Sequence, residues 1–371
     1  MEKKYPFYFK ASVTLFGIML FVFMLWVLKG ILIPLAFALM ISILLNPLVN
    51  KLQQKNVPKI LAIIIALLLA ILLVAGIMVF VSSQMVKFSS NMPALQQKFS
   101  ELFNQFQIWL RDNYSLTLAK QKQLLSEAGN NLKPLLAQTL GTVLGTLSVI
   151  VLLPVYIFLI LFYKTLILNF LYEVFAEKNS TQVGMVLSQT KSAIQSYMIG
   201  LLLEAMIVAA LNSFALFILG VQYAILLGVI GAILNVLPYI GGIIAIALPI
   251  IIATITKDGY TTQVGILIAY LIIQFIDNNI LVPRIVSSKV KINALVSLVI
   301  VLLGGAVWGL AGMFLSIPFI AVLKIIFDRV DELKPWGKIL GDEIPVYHKG
   351  HLWKRRRKTR SSLSEKITQQ R

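Results

Sequence analysis

The sequence predicts an all-α, polytopic membrane protein with about eight membrane segments. Two of them are interrupted, and an amphipathic helical segment lies outside the bilayer. Three observations carry this prediction. Hydrophobic residues make up 58% of the 371 and charged residues 13%, with a mean hydropathy of +0.87. Water-soluble domains do not have that balance. The apolar residues come in runs of about 20, the length that crosses a ~30 Å hydrocarbon core at 1.5 Å per residue. Two further runs are much too long for one crossing, and both are broken by Pro and Gly.

Composition also narrows the chemistry. Cysteine is absent, which excludes disulfide frameworks and cysteine-ligated metal sites. The two histidines, His348 and His351, sit in a polar C-terminal stretch. No zinc-type His-Glu-x-x-His, phosphate-binding Gly-rich loop or Gly-x-Ser-x-Gly elbow occurs. Neither an enzyme nor a cofactor is expected. The net charge of +18 does not read as nucleic-acid binding, because the cations flank apolar spans, where they orient a membrane protein. The dense run at 354–358 points to anionic lipid headgroups as its partner.

Residues 1–10 carry Lys3, Lys4 and Lys10 before an apolar run at 13–28. No small-residue cleavage site follows, so this reads as a first span with a cytoplasmic N-terminus. Spans two and three are predicted at 31–49 and 60–81. The loop between them carries Lys51, Lys55 and Lys59 and should be cytoplasmic. Residues 82–136 turn polar but keep Leu95, Phe99, Phe103 and Phe106 at helical spacing, an amphipathic helix placed outside. Span four, at 139–162, contains the Gly141/Gly145 pair, a possible close helix contact. Residues 164–195 read as a cytoplasmic connector with Lys164, Lys178 and Lys191.

Span five, at 199–219, contains Glu204 on one stripe with Val208 and Asn212. Glu204 either belongs to a pathway or snorkels to the interface. Residues 223–256 then form a 34-residue apolar run, about 51 Å as one helix. It is broken at Asn235-Val-Leu-Pro238-Tyr-Ile-Gly241-Gly242. A second run of 34, at 294–327, is broken around Gly304-Gly305, Gly309 and Gly312. The basic loop 284–291 and the basic tail after Lys324 should share the cytoplasmic side. Each long run then enters and returns as a hairpin, or as a pair of short spans. Interrupted segments of this kind build substrate sites in many secondary transporters.

Between the two breaks, an apolar run at 264–282 ends in Gln274-Phe-Ile-Asp277-Asn278-Asn279 and then Pro283-Arg284. In a helix, Gln274, Asp277, Asn278 and Leu281 share one face. A carboxylate at membrane depth costs about 2.5–3.5 kcal/mol by insertion scales, so it marks a pathway or a polar helix contact. The regions are therefore a three-span part at 1–81, an extracytoplasmic helical part at 82–136, a transport core at 137–327 and a basic cytoplasmic tail at 328–371.

The chain resembles the autoinducer-2 exporter family of bacterial multi-pass membrane proteins. The resemblance rests on Leu45-Asn46-Pro47, the Asn235–Gly241 segment, Gln274-x-x-Asp277-Asn278-Asn279 with Pro283-Arg284, and Gly304-Gly305 through Ile317-Pro318. Asn293-Ala294 stands where the family usually has a proline. The resemblance implies a permease of the bacterial inner membrane with both termini cytoplasmic. It also implies a homo-oligomer, such as a pentamer, and export of a small solute such as autoinducer-2 or sodium/proton exchange. Three functions stay open from the residues: an exporter driven by a proton or ion gradient, a sodium/proton antiporter, and a non-transporting scaffold. In the first two, Glu204 and Asp277 bind or couple. Asn212, Asn235, Gln274, Asn278 and Asn279 supply hydrogen bonds. Pro238, Gly241, Gly242, Gly304 and Gly305 open the backbone, and Pro283 and Arg284 shape the loop.

Overall fold

The computed structural model describes residues 6–90, 92–114, 147–175, 180–235, 241–286 and 292–342. All regular structure among them is helical. The helices are α1 (Phe7–Val27), α2 (Lys29–Gln54), α3 (Lys59–Ser90), α4 (Met92–Tyr114), α5 (Leu147–Phe162) and α6 (Lys164–Phe175). They continue with α7 (Ser180–Ile218), α8 (Ala224–Asn235), α9 (Gly241–Thr256), α10 (Thr261–Ile276), α11 (Ala294–Arg329) and α12 (Lys334–Leu340). Six are long and apolar enough to cross a bilayer, counting α10 with its continuation, and a seventh is possible if α5 and α6 form one span bent by 62°. Gly141, Gly145, Pro238 and the basic run 354–358 lie outside the described residues.

Three buried clusters organise the bundle. Ala38 and Val49 of α2, Ala62, Ile63 and Ala66 of α3, and Ile157 and Leu161 of α5 form the first. Leu216 of α7, Leu227 of α8, Ala245 and Ala253 of α9, and Ile266 and Tyr270 of α10 belong to the second. Met40, Ile194, Tyr197, Met198 and Leu315 form the third, which ties α2 and α7 to α11. Helix α7 contributes to two of these three clusters and, through Val208, to a smaller fourth with Ala232 of α8 and Leu281; it is the spine of the core. Its 39 residues correct the expected connector, because the stretch before 199 is helical and continuous with span five. Likewise α3 runs on to Ser90 rather than ending at 81, since no Pro or Gly stops it where the apolar run fades.

Both long apolar runs fold back. Helices α8 and α9 pack against each other as a hairpin. Their 12 and 16 residues span about 18 and 24 Å, and the first is short of a bilayer core. In α11 the chain turns at Gly309, whose φ of 61° and ψ of −143° are open essentially to glycine alone. Beyond the turn, Ser316 Oγ donates to the Ile300 carbonyl at 2.9 Å and to the Gly312 carbonyl at 2.6 Å. A Cβ on Gly304 would collide with Ser316 Oγ and stand 2.5 Å from the Gly312 carbonyl oxygen. Small residues are needed where two limbs approach this closely.

The two ends of this hairpin meet. Asn293 caps α11 by accepting from the Val296 N–H at 2.8 Å, as Asn does well at that position. Its amide donates to the carbonyls of Ile339 at 2.6 Å and Gly341 at 3.1 Å. So α12 closes over the hairpin's entry. At the opposite end, Trp308 Nε1 donates to the Leu25 carbonyl at 2.9 Å. Leu25 lies in the last turn of α1, where carbonyls run out of helical partners.

A straight helix would separate residues 300 and 316 by about 24 Å. Because the chain has no cysteine, Ile300→Cys with Ser316→Cys gives a clean pair. A short bifunctional thiol reagent should cross-link them in membranes and leave either single variant uncross-linked. Gly309→Ala should lower stability by about 1–3 kcal/mol through backbone strain, read as a fall in Tm in detergent.

Candidate transport site

The core of the site begins where α10 stops being an α-helix. From Asp277 to Val286 the chain continues as a π-helix, whose i→i+5 bonding widens the turn and recurs at functional sites. Pro283 inside this stretch removes one backbone donor. Tyr270, Ile273, Asp277 and Leu281 are buried, whereas Asn278 is exposed. The face expected from α periodicity, with Asn278 beside Asp277, is therefore corrected.

Asp277 is 2% exposed. Its Oδ2 accepts from Asn235 Nδ2 at 2.8 Å, and its Oδ1 has no partner. Asn235 is the last residue of α8, so this bond joins the broken hairpin to the π turn. The side chains enclose a cavity of about 10 Å³, close to what one water molecule needs. Val208 and Asn212 of α7, Gly231 and Asn235 of α8, Ala245 of α9, and Tyr270, Ile273, Gln274 and Asp277 line it. Asn212 Oδ1 and the Tyr270 hydroxyl are also buried without a partner. Three unmatched oxygen-bearing groups around one small cavity are unusual, since buried polar atoms nearly always find partners.

Glu204 is 8% exposed and lies within electrostatic range of both Asp277 and Tyr197. It does not reach out to the interface, and the snorkelling alternative falls. Together with Val208 at 3% and Asn212 at 2%, it forms the buried stripe its spacing predicts. Among the described residues, neither Glu204 nor Asp277 has a Lys or Arg within ion-pair distance.

Glycine brings the helices this close. A Cβ on Gly228 would sit 2.5 Å from the backbone nitrogen of Ser213. One on Gly231 would lie 3.3 Å from Asn212 Nδ2, and one on Gly242 would lie 3.2 Å from Gln274 Oε1. Gly241 begins α9 next to it.

The other predicted residues lie elsewhere. Asn279 Nδ2 donates to the Phe275 carbonyl of its own helix at 2.9 Å and is exposed, as are Pro283 and Arg284. Gly304 packs on Gly312 and Ser316, and Gly305 on Met313, inside the second hairpin; neither lines the cavity. Sequence reasoning missed Tyr270 and the glycines of α8. Tyr270 was findable, because it precedes Gln274 by four and Asp277 by seven, on the helical stripe.

Comparison with known proteins gives relatives among bacterial transport proteins. YueF of Bacillus subtilis, a proposed transport protein, is 24% identical over 268 residues, covering 70% of this chain and 72% of its own. YrrI of the same organism, also a proposed transport protein, is 32% identical over 139 residues, 38% of this chain and 39% of its own. The AI-2 transport protein TqsA of Escherichia coli is 32% identical over 111 residues, 30% of this chain and 32% of its own. The AI-2E family transporter pattern matches residues 15–332, and the chain belongs to that family of membrane transporters.

Proposed function

We propose that this transporter is a secondary-active permease that exports a small polar solute, with Asp277 as the residue that couples movement to a proton or sodium gradient. The observation that carries the reading is the buried, half-satisfied Asp277 at the junction of a broken hairpin and a π turn. Two carboxylates at membrane depth with no cationic partner are expensive. A bound proton or cation offsets that cost, and its departure restores it. Such a dependence on occupancy is what a coupling site requires. The unmatched oxygens of Asn212 and Tyr270 supply neutral partners for the same guest.

The cavity is far too small for a solute of several heavy atoms. Solute passage therefore requires the α8–α9 hairpin to move against α7 and α10. Asn235 is the contact that would report occupancy of Asp277 to that hairpin. An autoinducer-2-type solute is one candidate cargo, by analogy with the relative named for it. The small, oxygen-lined cavity also favours a second reading on the same scaffold, sodium/proton exchange with no organic cargo. A homo-oligomer fits the extensive apolar surface left on α1 and α3.

Reconstituted protein should move solute faster under an imposed pH or sodium gradient. Asp277→Asn preserves size, and it should abolish gradient dependence while leaving the Tm near that of the parent. Solute flux in Asp277→Asn that still follows the gradient would remove this residue from coupling. Asp277→Leu strands the Asn235 amide and should in addition destabilise the protein by about 1–3 kcal/mol. Sodium-driven proton movement in vesicles without any solute would favour the antiporter.

Gly242→Val should fill the space beside Gln274. It should slow flux strongly while leaving the cross-linking of the second hairpin unchanged. Normal flux in that variant would place the pathway elsewhere.

A further inference from the structure

Away from the transport site, three lysines from three separate elements converge at one end of the bundle. Lys164 opens α6, Lys59 opens α3 and Lys191 lies on α7. The charges of Lys191 and Lys59 both act on Lys164. Two of the three are held in place. Lys164 Nζ donates at 2.9 Å to Oδ1 of Asn46, itself 5% exposed. Lys59 Nζ donates at 2.7 Å to the Phe162 carbonyl and lies 5.3 Å from the centre of the Phe162 ring.

Part of this has a structural account. Phe162 ends α5, and cations favour a helix C-terminus. One lysine would satisfy that need. It does not explain a second ammonium fixed by a buried asparagine, nor a third brought in from α7. Like charges this close repel, more so where water is partly excluded. Among the described residues no carboxylate lies within ion-pair distance of any of the three. Each of these two bonds uses one ammonium N–H of the three available, so donors remain on Lys59 and Lys164. Lys51 and Lys55 add exposed positive charge nearby in sequence. By the positive-inside rule this end faces the cytoplasm, where anionic headgroups lie and where basic pockets between membrane helices bind them.

We propose that Lys59, Lys164 and Lys191 form a binding site for a phosphate group, carried by an anionic lipid headgroup or by free phosphate. None of the three lysines belongs to the basic run at 354–358. Lys59 and Lys164 belong to the α2–α3–α5 side of the bundle, and Lys191 to the helix that carries Glu204. A bound phosphate therefore fastens the first buried cluster to α7. Occupancy stabilises the fold and holds α7 in one position relative to α2.

The test uses the full chain purified in neutral detergent, with Tm followed during titration. The probes are dioctanoyl phosphatidylglycerol, dioctanoyl phosphatidylcholine and inorganic phosphate. Phosphatidylglycerol should raise Tm more than phosphatidylcholine. Lys191→Gln removes an exposed side chain and should weaken the phosphatidylglycerol effect about fivefold in concentration, the share of one surface lysine. Lys257→Gln, outside the cluster, should behave as the parent. A shift with phosphatidylglycerol alone assigns the headgroup, and an equal shift with inorganic phosphate assigns the free anion. The proposal is overturned if neither probe shifts Tm. It is also overturned if Lys191→Gln and Lys59→Gln/Lys191→Gln titrate like the parent, or if Lys257→Gln weakens the effect as much as Lys191→Gln.

Discussion

A helix that breaks inside a bilayer frees backbone and side-chain polar groups where lipid offers them nothing. Among the described residues, both hairpins have a local side-chain donor or acceptor at such a point. Asn235 ends α8 and reaches Asp277. Ser316 spans the second hairpin to Ile300 and Gly312. Asn293 caps one limb and receives the far end of the other. Asn235 and Ser316 each sit beside a glycine, Gly242 and Gly304, that lets the chain come near. The fold can hold fractured helices at membrane depth because short polar side chains and missing Cβ atoms occur together.

Helix α7 links these solutions. Its first half packs with α2 and α11 through Ile194, Tyr197 and Met198. Its second half carries Val208 and Asn212 to the cavity, with Glu204 one turn before them, and then packs Leu216 among α8, α9 and α10. A rigid rod that contacts both hairpins gives the site a fixed wall on one side and a jointed one on the other. That asymmetry suits a carrier, in which one part rocks against another around a nearly fixed site.

Much of this was legible in the amino-acid order. Long apolar runs, and their breaks at Asn235–Gly242 and Gly304–Gly312, fix the helices and the hairpins. The spacing of Glu204, Val208 and Asn212 gave their common burial. The face around Asp277 was legible only in part. Asp277 and Leu281 keep the α-helical stripe of Tyr270 and Ile273, but Asn278 lies at its edge, and spacing alone does not say which edge the neighbouring helices cover. The union of the 180–198 stretch with span five was hidden for a related reason: polar residues on an exposed helix surface look like a loop. Pairwise contacts such as Asn235 with Asp277, or Asn46 with Lys164, depend on tertiary approach, which spacing along one helix does not encode.

The bond from Trp308 to the Leu25 carbonyl joins residues 283 positions apart. Helix α1 precedes every other described helix, yet its described side chains contribute nothing to the buried core. Its inner anchor is synthesised only when most of the protein is already made. Helix α1 is therefore made long before the residue that secures it, and until then its neighbour α2 is what packs against it.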